Sequence, residues 1–259
     1  MFFDRTTKEG TRVRCARCTF SARAPATCPT CGSTDWRYLG AGSERLAEQV
    51  GRAFPRASVG RMDPDVLAAE GRERNEEPDI YVTTWIGTKP ALRPEVALVG
   101  VLDADALIRR PDFRAAESAY QALAAMSEWT GPATEGGRLL VQCSEPAHHA
   151  VQAVVRADHD YFVERELELR RDLSYPPFAD LVKVTASGDR SRDLIARAAE
   201  ASREAGGRVL GPIDVLQAGG SEAREILVKC EDATVVSEAL REILASVPGG
   251  DLKVDVDPR

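Results

Sequence analysis

Hydrophobic and polar positions along this chain alternate between two rhythms, and from residue 40 onward the switches between them mark out successive elements. In GAGSERLAEQVGRAFP, Leu46, Val50 and Phe54 recur at helical spacing behind two glycines, Ser43 is a candidate N-cap, and Pro55 stops the run. Two short apolar runs, DIYVTTW and EVALVGVLDAD, read as strands, DFRAAESAYQALAAMSEWT returns to helical intervals, and RLLVQC is strand-like again. Strand and helix in alternation predict an α/β layer on a parallel sheet over residues 40–147.

The segment HHAVQAVVRADHDYFVERELELRRDL predicts one or two helices of mixed charge, a connector over 148–175 that closes at SYPPF, where two prolines halt helical continuation. Beyond it come LVKVTASG (strand), RSRDLIARAAEASREA (helix), RVLGPIDVLQ and REILVKC (strands), ATVVSEALREILASV (helix) and DLKVDVD (strand). That order, β-α-β-β-α-β over 176–259, predicts a ferredoxin-like domain.

Composition adds a setting. With 259 residues, 43% hydrophobic and 29% charged, the chain is long enough for two compact domains. MFFDRTTKEG has no apolar signal region, and no window approaches the run of about eighteen apolar residues a membrane helix needs, so a cytoplasmic protein is expected. The net charge of −7 hides an asymmetry: residues 1–39 carry seven Lys/Arg against three Asp/Glu, a local +4 that leaves −11 for the rest. Phosphate contacts are therefore expected near the N-terminus or in small local patches, and Arg12, Arg14, Arg17 and Arg23 form the densest such group; a solvated basic surface is the plainer reading of the same four.

Those arginines surround CARCTFSARAPATCPTC, which holds four of the six cysteines as two C-x-x-C pairs. Each pair offers two thiolates on one tight knuckle, and two knuckles face to face complete the tetrahedral sulfur shell that zinc prefers. Redox or unligated cysteines do not explain two pairs so close together, so Cys15, Cys18, Cys28 and Cys31 are read as ligands of a structural zinc; four ligands leave no open position for catalysis.

The remaining chemistry-bearing residues carry plainer readings. Asp103 and Asp105 end a predicted strand, where α/β folds place catalytic carboxylates, yet a structural turn accounts for them. Asp112, Arg114 and Glu117 can pair along the next helix. Adjacent helical residues diverge by about 100°, so His148 and His149 are expected as surface side chains and not as a chelating pair. Cys143 and Cys230 sit in apolar strands as small buried hydrophobes. The GAGS turn could hold a DNA phosphate at a helix N-terminus, although a simple strand-to-helix turn explains it as well.

Taken in order, CARCTFSARAPATCPTCGS with LGAGSERLAEQV, VALVGVLDADALIRRPDFRAAESAYQAL, DLSYPPFADLVKV, EILVKC and the closing VDVDP resemble the primosomal protein N-prime (PriA) family of bacterial replication-restart helicases. The resemblance implies a zinc-binding segment over 1–39, a RecA-like second helicase lobe over 40–147 and the family's C-terminal domain. It also implies action on branched or single-stranded DNA, with single-stranded DNA-binding protein and the replicative helicase with its loader as partners. Family members use eight cysteines for two zincs, against four here. Their N-terminal DNA-binding domain and first helicase lobe have no counterpart in this sequence, and no G-x-x-x-x-G-K-[ST] phosphate loop occurs. In TTWIGTKPALRP, the family's loop coupling nucleotide to DNA, Lys89 and Pro94 fit the pattern and Pro90 replaces a flexible glycine, which makes Lys89 a DNA-contact candidate. The family's Q-x-x-G-R-x-G-R motif aligns without gaps so that Ala125 replaces the glutamine and Trp129 and Pro132 replace the two arginines. Arg224 falls where the C-terminal domain offers a basic residue to an acidic protein tail. The expectation is a DNA-binding restart scaffold without ATPase activity. The alternatives are an active ATP-dependent helicase whose first lobe lies outside this chain, and a zinc-ribbon interaction module without DNA affinity.

Overall fold

Alternating apolar residues need a partner layer, and in the C-terminal region two amphipathic helices supply it. A computed structural model of the chain describes residues 2–4, 12–14, 21–23, 27, 32, 42–63, 77–84, 94–110, 112–216, 222–247 and 251–258. The chain divides into two compact units, one of Arg37–Leu167 and one of Met1–Trp36 with Glu168–Arg259. The class is mixed α/β, with parallel pairing in the first unit and antiparallel pairing in the second.

The N-terminal residues contribute a small antiparallel sheet of β1 (Phe2–Asp4), β2 (Arg12–Arg14) and β3 (Ser21–Arg23), in that spatial order. In the unit of Arg37–Leu167, helix α1 (Ser43–Ala53) precedes β4 (Val59–Met62), which pairs in parallel with β5 (Ile80–Thr83). A second parallel pair joins β6 (Leu98–Val101) to β7 (Arg138–Val141); between them run α2 (Asp105–Ile108) and α3 (Ala115–Ser127), then two single 3-10 turns, Glu128–Thr130 and Ala133–Glu135. Helices α4 (His149–Arg156) and α5 (His159–Asp172) follow. One face of the β6–β7 pair is a core of Val99, Val101, Leu139 and Val141 under Leu123, Met126, Trp129 and Val151. On the other face Leu98, Leu102 and Leu140 are each more than half exposed.

The strands β8 (Asp180–Ser187), β9 (Arg208–Leu216), β10 (Glu222–Cys230) and β11 (Leu252–Val256) form one antiparallel sheet in the order β11-β8-β10-β9, with helices α6 (Ser191–Glu204) and α7 (Ala233–Ala245) in the two crossovers. Leu194, Ile195, Ala198 and Ala199 of α6 and Val236, Leu240 and Ile243 of α7 lie on single helical stripes and close over Val182, Val184, Ile226 and Val228. Gly207 is fixed by this packing, because a Cβ there would stand 2.4 Å from Val228 Cγ1 and 2.8 Å from the Ser202 carbonyl. The opposite sheet face carries a polar row: Lys183 Nζ lies 3.8 Å from Glu225 and 3.9 Å from Asp255, and Thr185 donates to Glu225 at 3.1 Å.

The expected N-cap at Ser43 is corrected. Gly42 occupies the cap position, and the Ser43 hydroxyl instead donates to the buried Asp63 carboxylate at 2.7 Å, which also receives Arg61 Nε at 2.9 Å. A carboxylate that is 2% exposed must be satisfied, and that requirement outweighs the local cap.

Candidate nucleic-acid interface

Three of the four predicted DNA-binding arginines, Arg12, Arg14 and Arg23, fall on the N-terminal sheet. Its register sets Arg12 opposite Asp4 on one side and Arg23 on the other, with Arg14 two positions along β2. Arg23 is exposed. Arg17, Lys89 and the four predicted zinc ligands Cys15, Cys18, Cys28 and Cys31 lie outside the described residues.

The carboxylates after β6 have structural work. Asp105 opens α2 and accepts the Ser144 backbone N–H at 2.7 Å and the Ser144 hydroxyl at 2.8 Å; Arg109 donates to the same hydroxyl at 2.9 Å. Those hydrogen bonds from Ser144, backbone first, hold the Asp105 carboxyl below the usual carboxylate range. The loop after β6 is thereby tied to the loop after β7, with Asp103 in the left-handed region at φ 59°. Asp112 accepts the Arg114 backbone N–H at 2.9 Å, and Glu117 accepts Gln121 at 3.3 Å.

Two positions singled out by the family resemblance are placed by packing and by a turn. Trp129 is 6% exposed and packs with Val99, Val101, Leu123 and Met126. Pro132 caps the turn Ala133–Glu135, and its carbonyl accepts the Glu135 and Gly137 N–H groups at 3.0 and 3.3 Å. Neither side chain carries a positive charge.

The expectation of separate surface histidines is overturned. His148 and His149 are partly buried and their rings stack at 4.5 Å between centroids. The divergence of adjacent helical residues does not apply, because His148 is the N-cap of α4 with ψ 133°, its ring nitrogen accepting the Ala150 N–H at 3.3 Å. Burial first, then neighbouring His149, lowers its pKa, which keeps the accepting nitrogen free of a proton. His149 lies 2.8 Å from the buried Glu166 and stacks on Phe162, and His159 meets the Tyr120 hydroxyl at 3.1 Å. All three histidines of the chain thus brace α3, α4 and α5.

In the C-terminal sheet, Arg224 is half-buried and pairs at 3.2 Å with Asp214, its direct neighbour across the β9–β10 ladder. Sequence reading passes over Lys229, which is 8% exposed; its ammonium donates to the Leu173 carbonyl at 2.6 Å and sits 3.4 Å above the Tyr175 ring. Desolvation, then the nearby Arg208, lowers its pKa. Through its contacts with Leu173 and Tyr175, Lys229 fixes the chain where α5 ends, joining EILVKC to the SYPPF segment. Cys230 is buried, and burial first, then Asp180 and Asp232, raises its thiol pKa, as suits a small core residue.

Comparison with known proteins brings these regions under one description. Residues 171–259 match the family model of the primosomal protein N C-terminal domain. The chain is similar to replication restart protein PriA of Bacillus subtilis, 31% identical over 250 residues that cover 91% of this chain and 31% of the relative. The PriA proteins of Synechocystis and Treponema pallidum are 29% and 32% identical, over 95% of this chain in both cases and over 32% and 40% of the relatives. The chain therefore spans about a third of the length of the curated relatives it matches.

Proposed function

From a chain related to the PriA replication restart proteins over nearly its whole length, with their C-terminal domain in residues 171–259, we propose a zinc-containing protein that binds branched or single-stranded DNA in replication restart. That relationship carries the reading. On it, the antiparallel β-α-β-β-α-β unit is a ferredoxin-like domain, the parallel pairs belong to a RecA-like second lobe, and residues 1–39 are a zinc-binding segment. The donor set of Cys15, Cys18, Cys28 and Cys31, four sulfurs on two knuckles, suits a closed structural zinc whose role is to hold the basic segment in shape. Single-stranded DNA-binding protein and the replicative helicase with its loader are the protein partners this role calls for.

The chain acts without hydrolysing ATP. Phosphoryl transfer depends on positioned cations around the transferring group. Where active relatives are expected to carry an arginine this chain has Trp129, committed to the apolar core. The C-terminal sheet offers no substitute platform for bases: β8, β9, β10 and β11 contain no aromatic residue, and Glu225 and Asp255 mark its helix-free face. DNA contact is therefore concentrated on the N-terminal arginines.

The test combines forked-DNA binding with DNA-stimulated ATP hydrolysis on the purified chain. Salt-sensitive binding with hydrolysis at background supports the proposal. Hydrolysis above background would establish the helicase reading, and absence of DNA affinity the interaction-module reading.

A further inference from the structure

The edge of the C-terminal sheet is complementary to itself. Strand β11 pairs with β8 on one side, and among the described residues nothing pairs with its other side. The Ser187 N–H donates to the Asp251 carbonyl at 2.8 Å and the Asp257 N–H donates to the Leu181 carbonyl at 3.0 Å. Odd-numbered residues thus turn their backbone groups toward β8, and the alternation of an antiparallel ladder leaves the N–H and C=O groups of Leu252, Val254 and Val256 facing outward. Such an edge is a template for another strand.

The side chains select the occupant. Leu252, Val254 and Val256 share the face covered by the helices, where Leu252 is buried and Val256 is half exposed. Lys253 and Asp255 share the polar face. If a second β11 runs antiparallel to the first about a two-fold axis at Val254, Val254 faces its own copy and Leu252 faces Val256. Lys253 then stands opposite Asp255, twice over. The outward backbone groups fall on the hydrogen-bonded pairs, Val254 with Val254 and Leu252 with Val256, and the charged residues fall on the intervening pairs, where side chains approach most closely. Backbone parity, apolar match and charge match are all met in this one register. Asp255 already lies 3.9 Å from Lys183, so the second copy's lysine would extend the row formed by Glu225, Lys183 and Asp255.

We propose that two copies of this chain associate through β11, joining their four-stranded sheets into one sheet across a two-fold axis. The interface is isologous, so it closes at two copies. This inference is independent of the DNA-binding reading and concerns the free protein.

The experiment is sedimentation equilibrium on the full chain without DNA, with circular dichroism melts to show that each variant folds. The wild type is expected to show a concentration-dependent dimer. Lys253→Glu sets a glutamate opposite Asp255 and should weaken dimerisation by about tenfold or more, since two favourable cross-strand pairs become two repulsive ones. Asp255→Lys should do the same by setting a lysine against Lys253. An equimolar mixture of the two variants should recover the dimer, because glutamate then faces lysine at one pair and aspartate faces lysine at the other. Val254→Pro, which removes an outward N–H and leaves the β8 ladder intact, should also abolish it; if that variant melts early, the two charge variants and their mixture decide alone. A wild type that remains monomeric at the highest attainable concentration would overturn the proposal, as would single charge variants that dimerise like wild type or a mixture that stays monomeric.

Discussion

The two sheet regions of this chain solve the same burial problem to different extents. In the C-terminal unit every inward residue of β8 meets a helix: Val182, Val184 and Ala186 are fully buried beneath α6 and α7. In the unit of Arg37–Leu167, the β6–β7 pair is parallel, a geometry ordinarily covered on both faces, yet only Val99, Val101, Leu139 and Val141 are packed while Leu140 is 60% exposed. An antiparallel sheet can show one polar face to water, as the row of Lys183, Glu225 and Asp255 does, and a parallel pair with leucine on its open face does so at a cost. Stability is therefore set by the helix-covered cores, and the open leucines add little to it.

Substitutions can break that contrast in order of size. Leu240→Ala in the C-terminal core should lower stability by about 3 kcal/mol, measured by urea denaturation, and Trp129→Ala by a similar amount, since both leave cavities among fully packed neighbours. A loss at Trp129 well below about 1 kcal/mol would release that residue from its structural role. Next comes the histidine brace. Because the folded-state pKa of His148 is lowered, the unfolded chain binds more protons as pH falls below the ordinary value of 6.5. Its contribution is present above that pH and fades on acidification. His148→Asn keeps a side-chain acceptor at the α4 N-cap without a titrating group, so the loss of thermal stability between about pH 7 and pH 5 should become shallower. Unchanged pH dependence would remove His148 as its source. Smallest is Leu140→Ser on the open face, expected within about 0.5 kcal/mol of wild type. A large loss there would show that the leucine face is covered in solution.

Much of this architecture is legible in the sequence where apolar periodicity is strong. Spacing alone identifies the helical stripes of α3, α6 and α7 and the apolar runs of β8 and β10. What escapes depends on tertiary demands. Strand β4, VGRM, is too short and glycine-broken to announce itself, and the Ser43 cap is lost to Asp63, twenty residues away. The stacking of His148 on His149 turns on a non-helical ψ at the cap, which spacing does not encode. Of the residues proposed to contact DNA, the clustering of Arg12, Arg14 and Arg23 is visible as local charge, but the backbone register of Arg12 with Arg23 requires the strand pairing. Lys229 has no signature, since a lysine in EILVKC reads as the solvent-facing position of an alternating strand.

The claim that DNA is held by the N-terminal basic segment is tested most directly by titrating forked DNA with the wild type and with a chain in which Arg12, Arg14, Arg17 and Arg23 are all replaced by alanine, across a range of salt concentrations. Each phosphate contact removed should take roughly one counterion from the slope of log affinity against log salt, so the variant should bind more weakly and with a markedly flatter slope, while the zinc proposed for Cys15, Cys18, Cys28 and Cys31, which involves none of the four, should be retained. Equal affinity and equal slope for the two proteins would contradict the account and place the DNA surface elsewhere on the chain.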